Sequence, residues 1–359
     1  MQAMYKGRIY QKMCTLADYA NAGRVNLEQS LIVNGFWRSG TTWVMDSAAS
    51  LMDAKTVFEP FGTFSPKRYD FTKSPIGQCL EEIGVPHSDF PLVFTIMPYA
   101  KGPLDPHKRL TQLIKRSLGG KMKRRTSHKS QKLGNKNLRE CFRPRVVTKL
   151  TRGNLCLRSI QDTFGVPVIH VVRDPRAVIA SLKITRNGDL GWGAFKNFSL
   201  KDQLLGIDDG RREYFSRWQS EIKKFDQSDS YIRLTAYYCL TELYLLHSFR
   251  SVQSPFEVIQ YETMLQGGVN VLQTALQSLG LKIALQEPVN LSGSSLTDWN
   301  NETNGSEISL YQRMFGMRKQ LALNHCHAIE EIVAYFGLTD RLWDEADASR
   351  IKSRKKISL

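Results

Sequence analysis

Short apolar runs alternate along the chain with stretches of helical spacing. Residues 31–33 form an apolar run that suits a buried strand. From Thr42 the period changes, with Val44, Ala48, Leu51 and Met52 on one helical face. Residues 56–61 form an apolar stretch interrupted by one carboxylate, Glu59, and Pro60 biases that glutamate toward an extended backbone. Further strands are predicted at 92–96, 145–150, 168–172 and 256–262. The run 168–172 is almost continuously apolar, as a central parallel strand should be. Helices are predicted at 155–164, 269–279 and 321–336. Another, amphipathic over 231–250, places Ile232, Ala236, Cys239, Leu243 and Leu246 on its apolar face. Residues 185–210 read as an irregular connection and 290–305 as a polar surface loop.

Two junctions carry chemistry. Between the first strand and its helix lies a tight loop, Phe36 to Thr41, with Arg38, Ser39, Gly40 and Thr41 at its tip. A strand, a glycine-bearing loop and a helix start make an anion cradle, because backbone N–H groups and the helix dipole converge there. Arg38 adds fixed positive charge, and Ser39, Thr41 and Thr42 add hydroxyls. The nucleotide-triphosphatase pattern G-x-x-x-x-G-K-[ST] is absent. The second junction is Arg173-Asp174-Pro175-Arg176, where Asp174 suits an N-cap and Pro175 the first helical position. Arg173 then stands at the carboxyl end of a strand, where open α/β sheets bind ligands.

The first loop, Arg38-Ser39-Gly40-Thr41-Thr42-Trp43, resembles the 5′-phosphosulfate loop of sulfotransferases that use 3′-phosphoadenosine 5′-phosphosulfate (PAPS). The second, Arg173 through Ala177 and Val178 to Ser181, is similar to that family's 3′-phosphate segment. Lys149, Arg152 and the Glu59-Pro60 pair look like its carbohydrate branch, and Tyr261-Glu262 like its late strand ending. The resemblance implies a single α/β domain over 31–340, with a parallel sheet of about five strands flanked by helices. This is the P-loop-kinase-like sulfotransferase fold. It implies PAPS as cosubstrate, no metal, and an acceptor hydroxyl or amine, with a saccharide first, then a small-molecule alcohol or amine, then protein tyrosine. Arg38, Ser39, Gly40, Thr41, Thr42 and Trp43 would hold the 5′ side, and Arg173 and Ser181 the 3′-phosphate. Arg38 would also stabilise the leaving group, and Glu59 would take the acceptor's proton. A surface glutamate is the bland alternative for Glu59, and His87, His107 and His128 are competing bases, since the cytosolic branch uses histidine. His170, alternating with apolar residues, reads as a core histidine. The family's late basic segment near a Trp is not matched; only Arg313, Arg318 and Lys319 lie in the right region.

Length and charge refine this reading. At 359 residues the chain can bury a large core. No apolar run reaches the ~18 residues of a transmembrane helix, which favours the cytoplasm; a Golgi lumen would require an anchor outside the sequence given. Residues 1–30 read as an extension and 341–359 as a basic tail. Six scattered cysteines lack metal-ligand spacing and favour free thiols. The formal charge is +16, concentrated in 107–145, where fourteen Lys or Arg face one acid, Glu140. That segment reads as an insertion or lid, either solvated or attracting an anionic acceptor, nucleotide or membrane. A nucleotide kinase would share the fold but need the missing loop lysine. A nucleic-acid-binding protein would leave both cradle motifs unused, and no nucleic acid is expected.

Overall fold

The computed structural model describes residues 2–61, 75–82, 95–104, 107–121, 138–184, 192–250, 254–284 and 321–338. Five short strands, β1 (Leu31–Asn34), β2 (Lys55–Phe58), β3 (Val146–Leu150), β4 (Val168–Val172) and β5 (Phe256–Gln260), form one sheet in the order β2-β3-β1-β4-β5. Every pairing is parallel, with Ile32 opposite Thr148 on one side and Val168 on the other. β1, β3 and β4 are buried at every position. Strands covered on both faces need near-continuous apolar sequence, which β1 and β4 largely supply; β3 interrupts its own with Thr148 and the buried Lys149.

The principal helices are α1 (Gln2–Asn21), α2 (Thr41–Leu51), α3 (Pro75–Glu82), α4 (Lys108–Leu118), α5 (Leu157–Phe164), α6 (Pro175–Ile184), α7 (Ser230–Phe249), α8 (Tyr261–Gly267), α9 (Val269–Ser278) and α10 (Leu323–Tyr335). α2 and α9 cover one sheet face, packing Val44, Met45, Ala48, Leu272 and Leu276 on Leu31, Val33, Val147, Ile169 and Val171. α4 and α5 cover the other, with Leu110, Leu113, Ile114 and Ile160 against Ile32, Leu150 and Val168. A third core joins α6, α7 and α10 to Phe36 and Trp37 of the loop after β1. The chain leaves β1 toward β2 on one side and leaves β4 toward β5 on the other. β1 and β4 are therefore the switch point of the sheet, and a crevice opens beyond their carboxyl ends. Both predicted phosphate segments begin there.

Several expectations change. Residues 92–94 lie outside the described residues, and Thr95 and Ile96 are buried but not in the sheet. The basic segment opens with α4, whose apolar face is core, so this part is no lid. α7 is not amphipathic: Leu234 through Leu245 are buried continuously, because α6 and α10 close the side turned from the sheet. Ile232 and Leu246 are only partly buried. Between 192 and 206 the chain forms a short helix, Trp192–Asn197, and a π-turn, Asp202–Gly206, rather than an irregular link. β5 ends at Gln260, and Tyr261 already begins α8. The predicted loop 290–305 lies outside the described residues. Among the described residues no helix is long and apolar enough to cross a membrane.

Candidate active site

β1 hands over to α2 through a turn in which two glycines are sterically required. A Cβ on Gly35 would stand 2.6 Å from the Val171 carbonyl oxygen and 2.7 Å from Thr41 Cγ2. Gly40 has φ +87°, and a Cβ there would fall 2.2 Å from Cδ2 of Tyr261. Arg38 also has positive φ, +67°, a costly conformation for a non-glycine residue. Two bonds from the second phosphate segment hold it. Arg173 Nη1 donates to the Arg38 carbonyl at 2.9 Å, and Arg38 Nε donates to Ser181 Oγ at 2.8 Å. Segments 135 residues apart in sequence are thus in direct contact.

The cradle has the features of an anion site. The first turn of α2 leaves backbone N–H groups without intrahelical acceptors, and Gly40 supplies no side-chain cap. Ser39 is fully buried, and its hydroxyl has no hydrogen-bond partner among the described residues. Thr42 Oγ1 accepts from Lys149 Nζ at 2.8 Å, bringing a cation to the helix start. Trp43 packs edge-on against Tyr261, 5.8 Å between ring centroids.

At the end of β4, Arg173 is 8% exposed and its guanidinium lies 4.3 Å from the centre of the Tyr261 ring. Tyr238 donates its hydroxyl to the Arg173 carbonyl at 3.0 Å. Asp174 caps α6 as its sequence predicts, accepting from the Arg176 backbone N–H at 2.9 Å. Behind it sits Glu262, buried, with Oε1 accepting from the Asp174 N–H at 3.3 Å and Oε2 without a partner among the described residues. Burial pushes the Glu262 carboxyl up to about 7, against the pull of the Arg173 charge and with a further push from Asp174. Tyr261 and Glu262 belong to the site, yet the candidate ligands chosen from sequence omit them. Their signal is the Tyr-Glu pair at a strand end.

Glu59 lies at the end of β2, and it is not extended as Pro60 suggests: its φ is +48°. Its anchors explain the conformation. Oε1 pairs with Lys149 Nζ at 2.9 Å, while Oε2 accepts from the Thr151 N–H at 3.1 Å and its hydroxyl at 2.7 Å. Lys149 also lies 4.1 Å over the Phe58 ring. One cation therefore bridges Glu59 and the cradle through Thr42. Thr151 was not singled out in the sequence, and Lys149 was noted there without this role; its signal is a charge inside β3.

His170 is a core histidine, fully buried, with Nε2 2.8 Å from Glu242 Oε2 and Nδ1 2.9 Å from the Asn34 amide. His107 stands just before α4. His87, His128, Arg313, Arg318 and Lys319 lie outside the described residues. No group of His, Cys, Asp and Glu suited to a metal occurs among the described residues.

No family model matches the chain, and no curated protein does. It is similar to solved structures, among them the following three. The sulfotransferase domain of the Synechococcus PCC 7002 olefin synthase is 15% identical, with a TM-score of 0.36, over 86% of this chain and 94% of that one. A sulfotransferase domain from the curacin biosynthetic pathway gives 14% and 0.37, over 86% and 97%. Sulfotransferase STF9 from Mycobacterium avium gives 13% and 0.33, over 90% and 79%. Likeness at this level carries no argument, so the functional reading rests on the site itself.

Proposed function

We propose that the protein is a sulfotransferase that moves a sulfuryl group from PAPS to an acceptor hydroxyl or amine, with a saccharide as the favoured acceptor. The observation that carries this reading is the contact between the two phosphate segments, Arg173 on the Arg38 carbonyl and Arg38 on Ser181. A nucleotide bearing both a 5′ and a 3′ phosphate is the ligand that needs them together. The buried Ser39 hydroxyl without a partner, the open first turn of α2 and the Lys149 cation fit its 5′ side. Arg173 and Ser181 fit its 3′-phosphate.

Bound PAPS would supply an activated sulfuryl group, whose transfer releases 3′-phosphoadenosine 5′-phosphate and one acceptor proton. Arg38 and the N–H groups of the cradle neutralise charge developing on the leaving oxygen, as preorganised donors do. Glu59 accepts the acceptor's proton at its carboxylate, and Lys149 and Thr151 hold that carboxylate in place.

The test compares nucleotides. 3′-Phosphoadenosine 5′-phosphate should raise the melting temperature more than ATP, which lacks the 3′-phosphate. Arg173→Ala should remove most of that difference, since losing a charge-assisted contact costs roughly 1.5–3 kcal/mol. Equal shifts with both nucleotides would overturn the reading. Turnover with labelled PAPS against a panel of saccharides, small alcohols and amines then identifies the acceptor.

A further inference from the structure

Because all five strands run parallel, their first residues share one edge of the sheet, opposite the cradle. Lys55, the first residue of β2, fixes what lies there. Its Nζ is 3.8 Å from Asp18 of α1 and 3.4 Å from the Cys141 carbonyl. Asn21 Nδ2 donates to the carbonyls of Cys141 at 3.1 Å and Arg143 at 3.3 Å. α1 and the turn before β3 are thereby held against this amino edge.

α1 is two-sided in an unusual sense. Cys14, Asp18 and Asn21 turn inward and are buried. Met13, Leu16 and Tyr19 turn outward and are 49%, 69% and 54% exposed. At about 100° per residue these three fall within a stripe roughly 120° wide. Phe142, one residue past the anchored Cys141, adds a fourth large apolar side chain, 53% exposed. The helix thus buries polar contacts and shows an apolar stripe to solvent.

The same edge is basic. The last turn of α4 carries Lys115 and Arg116, both exposed. It ends where a Cβ on Gly119 would lie 3.7 Å from Ala22 and one on Gly120 would meet Lys55. Arg24 is exposed beside it. Among the acids here, Asp18 pairs with Lys55, and Asp53 and Glu140 pair with Arg143, while Glu28, before β1, is exposed.

We propose that the amino edge of the sheet, with the outer stripe of α1 at its centre, docks the protein on an anionic lipid surface. A polyanion such as a nucleic acid or a sulfated glycan would match the charge but leave Met13 and Leu16 in water. The interface of an anionic bilayer matches both, taking apolar side chains to the acyl boundary and basic ones among the headgroups. Docked this way, the protein turns its cradle toward the aqueous phase. The charge of Lys115 and Arg116 then attracts the membrane rather than the acceptor.

The experiment is cosedimentation of the full chain with vesicles of phosphatidylcholine alone, and of phosphatidylcholine with an equal part of phosphatidylglycerol. Binding should occur with the anionic vesicles and weaken as salt rises. The double substitution Met13→Glu and Leu16→Glu changes exposed side chains only. It should lower anionic-vesicle affinity at least about tenfold, with the melting temperature and nucleotide shift unchanged. Absence of sedimentation with anionic vesicles would overturn the proposal, as would a double variant that binds them like the parent. Retention on DNA or heparin that the substitutions do not alter, without vesicle binding, would assign the edge to a polyanion instead.

Discussion

Glu262 allows the electrostatics of the site to be tested without an acceptor. Burial moves its carboxyl from an ordinary 4.5 to about 7. A displacement of that size corresponds to roughly 3 kcal/mol between the two protonation states, an upper value for a folded chain that relaxes. Below pH 4.5 both folded and unfolded chains hold this proton, so the group adds no pH dependence. Between 4.5 and about 7 the unfolded chain has lost the proton and the folded chain keeps it, so stability falls as pH rises. Above about 7 both are ionised and the loss is complete. Glu262→Gln keeps an oxygen to accept from the Asp174 N–H, now 3.3 Å away, and cannot titrate. Denaturant unfolding of parent and variant from pH 5 to pH 8 isolates the group, because all other titrations cancel in the difference. The variant should gain on the parent by up to ~3 kcal/mol across that range. A second readout is nucleotide affinity. Ionised Glu262 places negative charge near Arg173, so the parent should bind 3′-phosphoadenosine 5′-phosphate less tightly at pH 8 than at pH 6, and the variant should show less of this change. A stability difference that stays constant from pH 5 to pH 8 would refute the reasoning.

Two further predictions concern the other ends of the site. Glu59→Gln should lower kcat by about 100-fold or more, the scale of general-base loss, while the nucleotide-induced melting shift persists; near-normal turnover would move the base elsewhere. Gly40→Ala should destabilise the fold by about 1–3 kcal/mol and weaken nucleotide binding, since its φ is +87° and its Cβ would enter the Tyr261 ring. A thermal melt and nucleotide shift like the parent's would show that the cradle tolerates a side chain there.

What was legible in the sequence was what depends on neighbours along the chain. Val168–Val172 is a strand because its apolar run leaves no exposed face, and Asp174 caps α6 because an aspartate reaches the N–H two residues on. Features set by packing across the chain were not legible. Glu59 takes positive φ despite Pro60, because Lys149 of the next strand of the sheet and Thr151 just past it hold its carboxylate. α7 has an amphipathic period, yet α6 and α10 bury its other side. The basic segment looked detachable because its charges dominate its composition. The spacing of Leu110, Leu113, Ile114 and Leu118 nevertheless makes its first turns part of the core. Charge count describes what solvent meets, and apolar spacing describes what the sheet meets. In α4 the two coexist on opposite faces, so a segment with a net charge of +13 can still open with a core helix.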